Sequence, residues 1–420
     1  MMATFPLHGH TTMFDRILPL VQQHATPFWT YDAAIIRQRI SQLQGFDVIR
    51  FAQKACSNVH ILKLMREQGV QVDAVSLGEI ERALLAGYSP QGEPAGVVFT
   101  CDLLDRATLA RIIELDVEVN CGSIDMLRQL GQQHPGHRVW IRLNPGFGHG
   151  HSQKTNTGGE NSKHGVWHSQ LGEALAVVRQ YDLQLVGLHM HIGSGVDYAH
   201  LEEVCTAMAD AVIGMGHDLE AISAGGGLSV PYKDDQQPVD TERYAAIWDA
   251  ARQRVAAHLG HPVRLEIEPG RFLVAESGML VTEVRAIKDM GSQHFVLVDA
   301  GFNDLMRPSM YGSYHGFTLL DRDGQPRTGE LRPTVVAGPL CESGDVFTQH
   351  EGGLVAPRPL PRAEVGDLLV IHTTGAYGAS MSSNYNSRPL IPEVLLDGDQ
   401  VKLIRRRQTL QELFALELGA

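Results

Sequence analysis

The chain has 420 residues, of which 43% are hydrophobic and 20% charged, with a net charge of -13 and five cysteines. That length exceeds one ordinary domain and predicts two, with enough apolar content for a sizeable core. The acidic balance argues against nucleic acid or an anionic membrane surface as partner, while Cys56, Cys101, Cys121, Cys205 and Cys341 are scattered, form no C-x-x-C pair and read as free thiols of a reducing cytoplasm.

In chain order, Met1 to His24 lacks a basic start followed by an unbroken apolar core, and no later run is long enough to span a bilayer, so a cytoplasmic location is expected. Pro27 to Tyr31 reads as extended. Apolar strand-like runs then alternate with helix-like stretches: Val48 to Ala52, Val72 to Val75, Val97 to Thr100, Val117 to Asn120, Val139 to Asn144, Leu185 to His191, Ala221 to Ala224 and Arg264 to Glu268. Eight such runs separated by helices predict an α/β fold, a closed parallel (β/α)8 barrel of the TIM type over residues 33–275. Ser76-Leu77-Gly78-Glu79 is a capping box opening Ile80 to Ala86, which Gly87 stops. Ser57 and Ser123 are read as the starts of helices over Val59 to Gln68 and Met126 to Leu130.

After about Glu276 the pattern changes to strand and turn. Leu280 to Ala286 alternates, Phe295 to Asp299, Thr334 to Ala337 and Leu368 to His372 follow, and Asp323-Gly324 and Asp397-Gly398 supply turns. A smaller antiparallel β domain is expected over 276–420, with residues 1–32 adding a strand to it. Arg405-Arg406-Arg407 reads as the solvated start of an amphipathic tail helix.

In barrels of this kind the loops after the strand C-termini build the active site. Lys54, Arg142, His191, Gly225 and Glu268 all fall at or just past those ends. A lysine with apolar neighbours, as in Arg50-Phe51-Ala52-Gln53-Lys54-Ala55, is expected to be partly desolvated, which lowers its pKa and equips it to form a Schiff base with an aldehyde. Gly225-Gly226-Gly227 lets backbone N–H groups approach a phosphate, and Arg271 adds a bidentate charged contact. Glu268, opening Glu268-Pro269-Gly270-Arg271, is the acid that would keep a pyridine nitrogen protonated. Together these residues describe a pocket for pyridoxal 5'-phosphate.

Each motif also has a bland explanation. A strand lysine is usually structural, triple glycine is more often a turn, and Cys341 alone is most often a buried hydrophobe. His189 and His191 alternate on one strand, as a metal pair would, so a metal-dependent barrel hydrolase using them with Lys54 or Glu268 is the competing reading. The following Gly193-Ser194-Gly195 suits a phosphate better, and no metal is assigned. Gly148-His149-Gly150-His151 also looks metal-like, but its glycine flanks and polarity favour a mobile loop.

From Phe28 to the C-terminal helix, the order and wording of the motifs resemble the fold-type III pyridoxal phosphate decarboxylases, of alanine racemase-like architecture, and most closely the diaminopimelate decarboxylase family. The resemblance implies that Lys54 carries the cofactor, that His191 stacks on its ring and Ser194 reaches its phosphate. It further implies that Gly225, Gly226 and Gly227 with Glu268, Gly270 and Arg271 make the phosphate and pyridine-nitrogen contacts, and that Arg142 lies near the phenolic oxygen. Cys341, in Cys341-Glu342-Ser343-Gly344-Asp345, resembles the proposed acid of a second-subunit loop. That implies a homodimer with shared active sites. Glu342 stands where ornithine-specific relatives carry an aspartate. Arg307 and Tyr311, in Met306-Arg307-Pro308-Ser309-Met310-Tyr311-Gly312, resemble the pair that binds a distal carboxylate, with Tyr377 between cofactor and substrate and Arg271 also counted on the substrate side. The implied reaction is conversion of meso-2,6-diaminopimelate to L-lysine and carbon dioxide, the last step of lysine biosynthesis. Alternatives within the fold are an ornithine or arginine decarboxylase, an amino-acid racemase and a non-catalytic cofactor-binding regulator.

Overall fold

The computed structural model describes residues 11–148, 157–191, 193, 195 and 197–419. The chain forms two compact units. One comprises Arg37–Ser229 and Pro238–Leu273; the other gathers the N-terminal segment through Ile36, Val230–Gln237 and the chain from Val274 onward.

Strand β1 (Phe28–Asp32) belongs to the second unit. The first contains β2 (Val48–Ala52), β3 (Gln71–Ala74), β4 (Val97–Cys101), β5 (Glu118–Cys121), β6 (Arg138–Asn144), β7 (Val166–Trp167), β8 (Gln184–His189), β9 (Ala221–Ser223) and β10 (Arg264–Ile267). Hydrogen bonding runs β5-β4-β3-β2-β10-β9-β8-β6, β6 pairs back to β5, and the short β7 lies on β6. The eight-stranded parallel barrel is therefore closed, as the eight apolar runs indicate. Its strands are buried on both faces, which explains their nearly continuous Val, Ile and Leu content. Close packing is visible where Trp140, Val186 and Ala221 cluster: a Cβ on Gly187 would lie 2.2 Å from the Ala221 carbonyl oxygen and 2.5 Å from the Trp140 ring.

Helix starts follow the caps with one shift. Ser76 and Ser123 accept from the amides of Glu79 and Met126 and open Leu77–Leu85 and Ile124–Gln133. Helix Val59–Glu67 is capped by Asn58, which accepts from the His60 amide, and not by Ser57. The Glu79 carboxylate takes the Val75 amide at 2.8 Å, so the capping box is completed one residue earlier than its sequence signature says.

A charged pair is sealed in the barrel wall. Arg50 on β2 and Glu266 on the adjacent β10 are both at most 1% exposed. Arg50 Nε donates to Glu266 Oε2 at 2.6 Å and its Nη1 donates to the Ala95 carbonyl at 2.5 Å, while Arg264 Nε reaches Glu266 Oε1 at 2.7 Å. Such a pair adds little net stability over an apolar pair, but either half alone is costly.

The second unit is a nine-stranded sheet. Its remaining strands are β11 (Gly278–Met290), β12 (Gln293–Val298), β13 (Phe317–Leu320), β14 (Leu331–Ala337), β15 (Arg358–Pro361), β16 (Leu368–Ile371), β17 (Glu393–Asp397) and β18 (Gln400–Arg405). The order is β15-β14-β12-β11-β1-β17-β18, with β16 pairing β11 and β13. The expected antiparallel sheet is in fact mixed: β1 runs antiparallel to β11 but parallel to β17, and β12 runs parallel to β14. The β1–β17 pair arises because β1 comes from the far end of the chain and inserts between two later strands, whereas β12 and β14 are neighbours separated in sequence by β13, which pairs with β16 instead. Phe28, Met279, Val281, Leu320, Leu368, Val370, Val394 and Leu396 form the core here, with Ile17 and Leu20 of helix Thr11–His24.

The basic run does not start the tail helix. Arg405 ends β18 and pairs with Glu393 at 3.0 Å, Arg406 pairs with Glu412, and Arg407 donates to the carbonyls of Ala25, Thr26 and Pro27. Helix Leu410–Leu418 starts instead at Thr409, which forms a full capping box with Glu412. Among the described residues, no helix is long and apolar enough to cross a membrane.

Removing one half of the sealed pair should expose its cost. Arg50→Met leaves Glu266 buried with Arg264 as its remaining cation, and the barrel should lose about 3 kcal/mol in urea unfolding. The double variant Arg50→Met/Glu266→Leu should recover most of that loss. Equal destabilisation of single and double variants would contradict this account.

Candidate active site

Because the barrel strands are parallel, their C-terminal ends share one rim. β2 ends at Ala52 and is followed by the 3-10 turn Gln53–Ala55, in which Gln53 and Ala55 are buried while Lys54 is exposed. The expectation of a desolvated lysine is therefore corrected. The turn breaks the strand's alternation and sends Lys54 outward from its apolar neighbours. Its charge acts on two acids that sequence reading did not place in the site. Asp73, at the end of β3, is buried with an unpartnered Oδ1. Burial first and the Glu268 charge second push its pKa well above the usual carboxylate range, against the pull of Thr100 and Lys54. Glu79 is likewise raised by burial, with the Val75 amide and Lys54 opposing. The available signal was an acid interrupting the apolar run Val72-Asp73-Ala74.

Glu268, just past β10, behaves in the opposite way. Its Oε2 lies 2.8 Å from His189 Nε2, and its Oε1 accepts from Ser223 Oγ at 2.9 Å. Burial would raise its pKa, but His189, Ser223 and Arg50 outweigh that and lower it to about 2. The carboxylate is ionised at neutral pH. Ser223 Oγ is itself fixed by accepting the Gly225 amide at 3.1 Å, and the Glu268 amide donates to the Gly225 carbonyl at 2.8 Å.

The glycine run is dictated by crowding. A Cβ would lie 2.4 Å from the Met190 carbonyl at Gly225, 2.6 Å from the Glu268 carbonyl at Gly226 and 2.4 Å from the Gly193 carbonyl at Gly227. The φ values of +61° at Gly225 and +109° at Gly227 add a second reason for glycine. Gly270 packs against Ala52 and Ala55, and Arg271 opens the short helix that follows. The Gly226 amide donates to His191 Nδ1 at 3.1 Å, fixing the ring with that nitrogen as acceptor. Burial, followed by the charges of Arg142 and Lys54, holds the His191 pKa well below its ordinary value, so the imidazole is neutral. β8 ends at His189, and the two histidines serve different partners, Glu268 and Gly226.

Arg142, on β6, is buried; burial lowers its pKa, with Asp102 and Glu268 opposing. Asp102 holds His164 Nδ1 at 2.5 Å and the Gly165 amide at 2.9 Å. Ser194 and the sequence His149-Gly150-His151 lie outside the described residues.

The other candidates belong to the sheet unit. Arg307 is buried at the start of helix Arg307–Tyr311, its Nη1 is 2.9 Å from His315 Nε2, and its guanidinium lies over the Tyr232 ring at 4.8 Å. His315 Nδ1 is 2.9 Å from the His372 carbonyl, which only accepts, so Nε2 is free to accept from Arg307. Cys341 and Glu342 are exposed, and the Cys341 amide donates to Asn386 Oδ1 at 2.9 Å. Their loop is organised by buried Asp345, which accepts from the amides of Phe302 (2.7 Å) and Leu340 (2.8 Å). Tyr377 has φ of +56°, a conformation that costs a non-glycine residue about 1–2 kcal/mol.

The barrel rim thus offers a lysine amine, an ionised buried carboxylate, a fixed neutral imidazole and a turn that admits only glycine. This donor set fits a phosphorylated pyridine aldehyde. Comparison with known proteins agrees. Residues 33–275 match the family described as "Pyridoxal-dependent decarboxylase, pyridoxal binding domain". The chain is 68% identical over 407 residues to diaminopimelate decarboxylase of Escherichia coli (strain K12), covering 96% of both chains. It is 66% identical over 403 residues to the diaminopimelate decarboxylase of Streptomyces coelicolor, covering 96% of this chain and 92% of that one. A solved crystal structure of diaminopimelate decarboxylase superposes with a TM-score of 0.93 at 67% identity, covering 96% of each chain.

The Glu268 network has a defined pH dependence. Its folded pKa lies below the unfolded value, so its stabilisation is fully present above about pH 4.5 and disappears as the pH falls toward about 2. Ser223→Ala removes one of the groups that lower it, so the Glu268 carboxyl titration followed by 13C NMR should move upward. An unmoved titration would show that Ser223 does not set the charge.

Proposed function

This chain belongs to the diaminopimelate decarboxylases, pyridoxal phosphate-dependent enzymes, and we propose that it converts meso-diaminopimelate to L-lysine and carbon dioxide with Lys54, Glu268 and Cys341 as its working groups. The observation that carries the assignment is the buried Glu268 carboxylate, held by His189 Nε2 at 2.8 Å and Ser223 Oγ at 2.9 Å beside the glycine turn. When bound, pyridoxal phosphate supplies a sink for the electron pair left behind as carbon dioxide departs. Glu268 would keep a proton on the pyridine nitrogen, so that the ring stays electron-poor. Lys54 would hold the cofactor covalently and take part in product release. His191 would stack on the ring, Arg142 would serve the phenolic oxygen, and Ser194, Gly225, Gly226, Gly227, Gly270 and Arg271 would receive the phosphate.

On the substrate side, Arg307 binds the distal carboxylate with a planar two-donor fork, preset by His315 and Tyr232. Tyr311, Tyr377, Glu342 and Arg271 complete recognition of a molecule that carries an amine and a carboxylate at each end. Cys341 donates the proton that replaces the lost carboxylate. We assign Cys341 to the site of a neighbouring copy, which makes the enzyme a homodimer with shared sites, and we place it in the cytoplasm.

Two experiments test this division of labour. Arg307→Lys keeps the charge but loses the fork, and should raise KM for diaminopimelate roughly tenfold or more, for a loss of ~1.5–3 kcal/mol of charged hydrogen bonding. Unchanged kinetics, or comparable use of ornithine, would defeat the substrate assignment. Lys54→Ala should abolish both turnover and the borohydride-trapped lysine adduct, and Cys341→Ala should cut kcat strongly while retaining cofactor. Mixing the two inactive variants under subunit exchange should regenerate activity, because one mixed site contains both intact residues. Demonstrated exchange without activity would reject the shared site.

A further inference from the structure

At the opposite rim of the barrel, the N-terminal ends of β5 and β6 bring together three side chains that the decarboxylation does not use. Asp116 caps helix Arg106–Leu115 in a left-handed conformation, φ +53°, two residues before β5. His134 caps helix Ile124–Gln133. The turn His134-Pro135-Gly136-His137 then leads into β6, with Gly136 at φ +83° and its amide tied to the Tyr181 carbonyl at 3.1 Å.

The hydrogen-bond pattern leaves ligand lone pairs without a use. His137 is 1% exposed, and its Nε2 lies 2.8 Å from the Val117 carbonyl oxygen. A carbonyl only accepts, so Nε2 carries the hydrogen and the neutral ring has its lone pair on Nδ1. That Nδ1 is buried and makes no hydrogen bond, although Asp116 Oδ1 is 3.5 Å away. His134 Nδ1 is also buried and unpartnered, and the two rings lie edge to face with centroids 5.3 Å apart. One donor atom from each of Asp116, His134 and His137 lies within 4.8 Å of one from each of the others. Burial, outweighing the Val117 carbonyl and Asp116, keeps the His137 pKa below its ordinary value.

We propose that Asp116, His134 and His137 form a binding site for one divalent first-row transition ion, zinc being the reference case, with two imidazole nitrogens and one carboxylate oxygen as ligands and water completing the shell. The donor set selects the class: imidazole suits zinc, cobalt, nickel and copper, whereas calcium and magnesium prefer oxygen alone. Bonds of about 2.0–2.2 Å require the donors to draw together, and exposed Asp116 is the side chain that can move. The Val117 carbonyl is the outer-shell partner that orients His137. The ion ties the ends of two barrel helices to the strands that follow, so its effect falls on stability and not on turnover.

The test uses full-length holoenzyme, freed of metal by chelator and dialysis, titrated with zinc chloride by calorimetry and with cobalt(II) by visible absorption. One ion should bind per chain, zinc should raise Tm, and cobalt should give a ligand-field band. Asp116→Asn and His134→Gln, neither of which touches the catalytic rim, should each weaken zinc binding by more than about tenfold, abolish the Tm rise and leave metal-free turnover unchanged. Absence of binding, or stoichiometric binding that persists in both variants, would overturn the site. If Asp116→Asn lowers Tm equally with and without zinc, the cluster is an Asp116–His137 contact and the proposal fails.

Discussion

A carboxylate kept ionised inside the barrel rim is the constraint around which the candidate site is organised. Stripping water from Glu268 costs several kcal/mol, and only groups that favour its charged form offset this. His189 and Ser223 do so by direct contact and Arg50 by its charge. The same negative charge drives Asp73 the other way, toward its neutral form. Two buried acids thus shift in opposite directions, because Glu268 has His189, Ser223 and Arg50 to favour its charge, whereas burial and the Glu268 charge outweigh what favours the charged form of Asp73.

This network also explains why two separate sequence motifs behave as one unit. Ser223 serves Glu268 through its hydroxyl and is steadied by the Gly225 amide, while the Gly225 carbonyl takes the Glu268 amide. A side chain at Gly226 would strike the Glu268 carbonyl, and the Gly226 amide is what sets the His191 ring. The glycines therefore do more than admit a phosphate. They let the end of β9 close against the end of β10, so that acid, hydroxyl and imidazole are fixed by one stretch of backbone. The barrel also contains the sealed Arg50–Glu266 pair, whose Arg50 cation favours the charged form of Glu268.

Much of the fold was legible because the barrel writes itself in local signals. Eight apolar runs, their helix caps and the Asp397-Gly398 hairpin between β17 and β18 are short-range features. What escaped depends on long-range placement. Side-chain alternation does not encode strand direction, so the parallel pairing of β1 with β17 and of β12 with β14 was invisible. Lys54 was judged by its apolar neighbours, but a single 3-10 turn reverses its exposure. Asp73 shows only as an acid interrupting an apolar run, Asp102 carries no local signal, and Glu79 reads only as a capping-box acid; burial raises the pKa of Asp73 and Glu79, while His164 and the Gly165 amide lower that of Asp102 against its own burial. The segment Val230–Gln237 sits inside the barrel's sequence range yet clusters with the sheet unit, because Tyr232 packs against Arg307 and His315 there.

The last example bears on specificity. An arginine that recognises a carboxylate by its fork works best when the fork is already oriented, since ordering a long side chain costs up to about 2 kcal/mol. Arg307 receives that orientation from a chain of three groups: the His372 carbonyl fixes the hydrogen on His315 Nδ1, His315 Nε2 then accepts from Arg307, and Tyr232 supports the guanidinium plane. None of these partners is a carboxylate. In the proposed reaction the Arg307 guanidinium meets the distal carboxylate of the substrate. A substrate ending in a bare amine would bring a second positive charge to the same place. Under the proposed substrate assignment, selectivity for a diamino diacid over a diamine-forming substrate would depend on how the arginine is held as much as on its presence.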